Sequence, residues 1–232
     1  MSEALDKVAT IRHLPLFPLP LVLLPNEFLP LHIFEPRYRQ MLKDVGLDKN
    51  MFGVSFFSTT DSFIEKPAAG TVGCVAEIRE VQSAPEGRSN ILTVGVVRYR
   101  LLDYIETGEP YLVGDVEFFE DFKEDETLVN PLANEVHALF QRIARAAHKL
   151  SGERSALPDI PQAEPEMLSF LITAAFNLET DIKYRMIETR STIERLTKMR
   201  EILRQAVSKM EENAEITKIA STNGHGKKKI EI

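Results

Sequence analysis

The spacing of apolar residues changes once along this chain, near residue 120, and that change limits the folds open to it. Before it, short runs rich in Val, Ile, Phe and Tyr alternate with polar or glycine-bearing connections. They are MFGVSFFS (51–58), TVGCVAEIREV (71–81), ILTVGVVRYRLLDYIE (91–106) and YLVGDVEFFE (111–120). Such side chains suit a pleated, half-buried surface, so the runs predict strands, with APEGRSN (84–90) as an exposed hairpin loop. After it, apolar residues recur at Leu132, Val136, Leu139, Phe140, Ile143, Ala147 and Leu150, a helical period. Pro131 fits the first turn of that helix, with Asn130 as its cap. A loop over 151–166 and helices over about 165–176, 179–188 and 191–211 follow. The last helix opens on STIE, where Ser191 and Glu194 read as a capping box. Strands first and helices after predict an α+β chain: a small mixed or antiparallel barrel, then a helix-only region.

Three stretches carry more detail. LPLFPLPLVLLP (14–25) has prolines at 15, 18, 20 and 25, which predicts an edge strand or an extended lead-in, because proline cannot donate to a ladder. In 91–106, Leu92, Val94 and Val96 share one parity with Arg98 and Arg100, so the strand bends or bulges near Arg98. DVEFFEDFKEDE (115–126) holds seven acids among aromatics and reads as a solvated edge and linker. It lacks the spaced D-x-D-x-D-G loop that gathers oxygens around one cation.

LPLHIFEPRYRQML (29–42) places His, Glu, Tyr and two Arg together. Glu35 and Pro36 predict a helix start, with a carboxylate near free backbone donors and a proline that needs none. Tyr38, Met41, Leu42 and Val45 then fall on one helical face. Glu35, Pro36, Tyr38 and Leu42 are thus expected to form a strand-to-helix junction.

The chemistry of catalysis is not visible in the sequence. There is no phosphate-binding glycine loop, no G-x-S-x-G and no H-E-x-x-H. No two of His13, His32, His137, His148 and His225 have ligand spacing, and neither a metal nor another cofactor is expected. The single cysteine, Cys74, lies in an apolar alternating run and reads as a buried thiol. A formal net charge of -7 argues against a nucleic-acid surface, with GHGKKKIEI read as a solvated tail. No signal peptide or membrane span is evident, so a cytoplasmic protein is expected.

LPLFPLPLVLLPNEFLPLHIFEPRYRQML resembles the opening of the Lon protease N-terminal domain, in its stand-alone bacterial form. VGCVAEIREV, ILTVGVVRYRLLDY and YLVGDVEFFED are similar to the strands that follow. LSFLITAAFNLETDIKYRMIETRSTIERLTKMREIL is similar to the helical part, and the likeness covers roughly 11–211. The resemblance implies a PUA-like β pseudobarrel over 11–122, a helical bundle over 130–211 and a flexible tail over 212–232. It also implies substrate recognition without catalysis. The chain's end at residue 232 is expected to leave no room for ATPase and peptidase modules.

The leading expectation is therefore a non-catalytic protein- or peptide-binding module, for substrate recognition or as an adaptor for a protease or chaperone system, with unfolded segments as partners. Its groove is expected between barrel and bundle, with Phe28, Phe34, Phe57, Tyr99 and Tyr104 as candidate lining. His32, Arg37, Arg98, Tyr99 and Arg100 are the candidate binding or rim residues. The alternatives are a small-molecule binder or enzyme using a polar pocket near His32, Arg98 and Arg100, and an RNA-binding barrel. Oligomeric state is left open by the sequence.

Overall fold

The computed structural model describes residues 2–57, 66–151 and 162–223. A short helix α1 (Glu3–Val8) is followed by strands β1 (Leu14–Leu19) and β2 (Phe28–Ile33), helix α2 (Pro36–Gly46) and strands β3 (Met51–Phe56), β4 (Val72–Ser83), β5 (Ser89–Tyr104) and β6 (Leu112–Phe119). Helices α3 (Glu126–Ser151), α4 (Pro165–Ala175), α5 (Thr180–Glu188) and α6 (Thr192–Asn223) complete it. The expected end of the MFGVSFFS run at Ser58 and most of the 151–166 loop lie outside the described residues, as does 224–232 of the tail.

The strands form one mixed sheet in the order β2-β5-β4-β3-β1-β6. Only β1–β3 is parallel. This corrects the expectation of a PUA-like pseudobarrel. A closed barrel has no edge strand, whereas β2 pairs with β5 alone and leaves its other side open. The long β5 is shared on that flank: 89–94 pairs with β2 and 98–104 with β6. Its register against β4 shifts between Gly95 and Arg98, where the parity of the sequence breaks. The result is an α+β fold with a mixed sheet followed by helices.

The proline-rich β1 is not at the edge. Residues 14–16 pair with β6 and 16–19 with β3, so most of the strand has one partner per residue, which accommodates prolines without donors. Helix α3 starts a turn earlier than its periodicity predicts, at Glu126. Asp125 accepts the Thr127 amide at 2.9 Å and leaves Pro131 inside the helix. Helix α1 has no counterpart in the expectations. It is tied down by the buried Val8, and Ser2 caps it by accepting the Leu5 amide.

At the β2–α2 junction, Glu35 is the N-cap residue and Pro36 opens the helix, but the carboxylate makes no capping bond. It pairs with Arg37 at 2.8 Å instead. Tyr38 is buried against Phe17, ring centroids 4.0 Å apart, and Leu42 packs partly buried on the same core. That core runs through the sheet and takes in Phe170 of α4 and Ile187 of α5, so apolar burial joins the helices to the strands. A second cluster, built on Leu168, Leu196, Met199 and Leu203, holds the helices to one another.

Gly95 shows how closely the turn before β2 is laid on β5. Its carbonyl accepts the Asn26 amide at 2.8 Å, and its amide donates to the Glu27 carbonyl at 2.9 Å. A Cβ at this position would run into the Leu24 carbonyl. Gly95→Ala is therefore expected to lower unfolding free energy by about 1–3 kcal/mol through overpacking. Urea unfolding followed by circular dichroism measures it, and an unchanged midpoint would show that the turn yields freely.

Candidate functional site

Two features define the site: a buried charge cluster that fixes the helices over the sheet, and an open cavity beside it. Asp121 leaves β6 two residues after Phe119 and points inward, with 4% of its side chain exposed. Both Arg98 of β5 and Arg195 of α6 donate to it. Thr192 adds its hydroxyl at 2.5 Å. Arg98 also donates to the carbonyls of Thr189 at 2.7 Å and Ile187 at 3.2 Å, which closes the free end of α5. Arg195 donates to the Thr189 carbonyl at 2.8 Å and the Ser169 hydroxyl at 2.9 Å. Phe170 lies between the two guanidinium groups, 5.2 Å from Arg98 and 4.0 Å from Arg195.

One carboxylate thus ties β5, the β6–α3 linker, α4, α5 and α6 together. Burial would raise the Asp121 carboxyl, but Arg195, by hydrogen bond and charge, and Arg98 outweigh it and hold the group below the ordinary carboxylate range. Burial likewise pulls Arg98 down from the usual guanidinium range, opposed by Asp121. Next to this cluster, Glu124 accepts the Ser191 hydroxyl at 2.6 Å and the Ile193 amide at 3.0 Å. The Ser191 hydroxyl in turn accepts the Glu194 amide at 3.0 Å, so the start of α6 is capped partly from the linker.

Beside the cluster lies a cavity of about 380 Å³ between the sheet and α4. Val94 and Val96 form its floor on β5. Phe119, Phe170 and Met167 supply apolar wall, and Met167 is 40% exposed at the rim. Polar groups from α1, β4 and the approach to α4 surround this floor. Phe28 is 64% exposed and stands directly across from Val94 in the β2–β5 pair, so the apolar strip continues out of the cavity onto β2.

The structure does not gather all of the expected site residues. Arg98 lines the cavity and belongs to the buried cluster. Tyr99, next in the strand, turns into the core, where its hydroxyl and that of Ser55 are 2.6 Å apart. Burial raises its phenol far above the usual range. Arg100 donates to the Gly70 carbonyl at 3.1 Å. His32 is exposed, 2.6 Å from the Asn90 side chain and stacked on Phe34, roughly 25 Å along β5 from Arg98 at ordinary strand rise. Arg37 is exposed over the Tyr38 ring. None of the candidate aromatics lines the cavity; Phe28 is the cross-strand neighbour of the lining Val94. Tyr104 donates to the Pro67 carbonyl at 2.6 Å. Cys74 is buried, which pushes its thiol up to about 12. Among the described residues, no group of three or more His, Cys, Asp or Glu side chains is placed to hold a metal ion.

Sequence reasoning missed Asp121, Arg195, Met167, Glu164 and Glu166. The acidic run 115–126 was expected to be solvated, yet Asp121 within it is the most constrained carboxylate described. Arg195, one of several basic residues along the last helix, is fully buried. The available signal was the parity break at Arg98, which puts a charged group on a buried face and so requires a buried partner.

Residues 13–205 match the model of the ATP-dependent protease La (LON) substrate-binding domain, and the chain belongs to that family. It is 30% identical over 207 residues to a Lon protease of Roseiflexus castenholzii, covering 89% of this chain and 25% of that protein. It is 32% identical over 130 residues to one of Parabacteroides distasonis, covering 54% and 15%. The chain therefore spans about a quarter or less of the length of these relatives. Two solved structures share the fold. A Lon N-terminal domain protein from Xanthomonas campestris has a TM-score of 0.57 at 21% identity, and the N-terminal domain of a Mycobacterium avium complex Lon protease has 0.61 at 15%. Each match covers 82% of this chain and 97% of the other.

Asp121→Asn removes the charge and leaves two buried guanidinium groups facing a neutral amide. It is expected to cost about 3–5 kcal/mol of unfolding free energy, measured by urea titration at pH 7. Because the folded carboxyl titrates below its unfolded value of about 4, its contribution is present above that pH and is lost as pH falls through the lower, folded value. The unaltered protein should therefore lose its margin over the variant in strong acid. An equal margin at pH 7 and pH 2 would contradict the assignment.

Proposed function

We propose that this member of the LON substrate-binding domain family is a non-catalytic recognition module that takes exposed apolar polypeptide segments into the groove between β5 and α4. It would hand them to a protease or chaperone partner. The relatives are proteases by name and the matched family model is described as a substrate-binding domain, which supports recognition as the task of this part of the chain.

The observation that carries the reading is the continuity of apolar surface from Phe28, across Val94 and Val96, to Met167 and Phe170 inside a cavity large enough for side chains. Single apolar residues on a surface need no explanation, but a strip that leads into a cavity is a binding surface in form. The free edge of β2 is a poorer place for an added strand, because Pro30 lacks a backbone donor in the middle of it. Recognition is therefore by side chains seated in the groove.

No helix among the described residues is long and apolar enough to cross a membrane, so nothing in these helices competes with a peptide-binding use of the apolar strip. The test is titration of a fluorescently labelled, reduced and unfolded model protein. Saturable binding is expected, weakened about a hundredfold by the double substitution Phe28→Ser and Met167→Ser, since burial of each side chain is worth at least about 1.5 kcal/mol. Both side chains are exposed, so thermal unfolding should change little. Absence of saturable binding, or a double variant that binds as tightly as the parent, would defeat the reading.

A further inference from the structure

The cavity wall is unevenly charged. Its lining includes five carboxylates, Glu3, Glu77, Glu120, Glu164 and Glu166, against Lys7, Arg79 and Arg98. All three cations are already engaged. Lys7 and Arg79 both lie on Glu77, at 3.7 and 3.0 Å, and Arg98 is held by Asp121. Glu120 accepts the Ser2 hydroxyl.

The two carboxylates at the start of α4 are different. Among the described residues, neither Glu164 nor Glu166 has a side-chain hydrogen bond or an ion-pair partner. Crowding by the groove walls, then the nearby Asp121 charge, raises the Glu166 carboxyl above the ordinary range, against the opposing pull of the Arg195 and Arg98 charges. The helix dipole accounts for acids at the start of α4, but not for the opposite wall. There, the Glu77 Oε2 atom is sheltered from solvent and makes no hydrogen bond, although Arg79 and Lys7 lie near it. Carboxylates therefore stand on both sides of an apolar floor, Glu77 paired with Lys7 and Arg79 on one side, and Glu164 and Glu166 without a direct ion pair on the other.

We infer that the preferred occupant of the groove is an extended polypeptide segment carrying a lysine or arginine between apolar side chains. The inference rests on the reading of the groove as a peptide site and specifies its substrate class. The apolar side chains lie on Val94, Val96 and Met167, and the cation reaches the carboxylates at the start of α4. A cation there gains both charge and hydrogen-bond partners, whereas an acidic segment meets uncompensated negative charge. The groove would thus discriminate among apolar segments by sign of charge as well as by shape.

The test uses the full chain and three labelled ten-residue peptides of identical apolar sequence with a single central Lys, Ser or Glu, followed by fluorescence anisotropy. At low salt the Lys peptide is expected to bind about tenfold more tightly than the Glu peptide, with Ser between them, and the ratio should shrink at high salt. In the double variant Glu164→Gln/Glu166→Gln the Lys-to-Glu ratio should fall to about two or less. Both positions are solvent-exposed, and circular dichroism reports the fold. Saturable binding of the Ser peptide with a ratio near one would overturn this inference and leave the groove reading standing. A ratio that survives the double substitution would also overturn it, by placing the selectivity elsewhere. Failure of all three peptides to bind would overturn both.

Discussion

Asp121 holds the two structural halves in one geometry. Its carboxylate receives a guanidinium from the sheet and another from the last helix, and those guanidinium groups also satisfy the carbonyls at the end of α5. A buried ion pair need not stabilise a protein more than well-packed apolar residues of the same volume would. Its effect here is positional. Apolar contacts through Phe170 and Ile187 bring the helices onto the sheet without specifying how they sit. The directional bonds of Arg98 and Arg195 single out one placement, because any other leaves a buried charge without partners.

The groove depends on that placement. Its floor is β5, and the wall carrying Met167 and Phe170 is α4. Arg98 lies both in the charge cluster and on the cavity lining, and Ser169, which receives Arg195, is one residue from Phe170. The surface offered to a ligand is therefore set by an interaction that no ligand need touch. Helix α1 closes another side, and Ser2 and Lys7 fasten it to Glu120 and Glu77 on the sheet.

Much of the fold was legible in the sequence because local signals agreed with the final structure. Runs of Val, Ile and Phe marked the strands, helical periodicity marked the later helices, and Glu35–Pro36 marked the turn from β2 into α2. The expected closed barrel was wrong, since strand runs do not reveal which partner each strand takes; β5 serves β2 with one half and β6 with the other. The start of α3 was misplaced because Pro131 looked like a beginning, whereas Asp125 supplies the cap a turn earlier. The charge cluster was hidden for a related reason. An acidic linker and a basic helix face look the same in sequence whether solvated or buried, and Asp121 and Arg195 lie 74 residues apart. What could be read was the conflict at Arg98, a charge on an apolar parity, which pointed to the right strand without naming its partner.

The central claim is that the cleft between β5 and α4 is the surface this chain uses to hold polypeptide. Amide hydrogen exchange of the full chain, with and without a saturating unfolded model peptide, tests it most directly. Binding should slow exchange in the turn before β2, along 92–97 of β5 and in the first turns of α4, and leave α2 unchanged. Protection confined to α2 and the β4–β5 loop, with none at β5 or α4, would contradict the account.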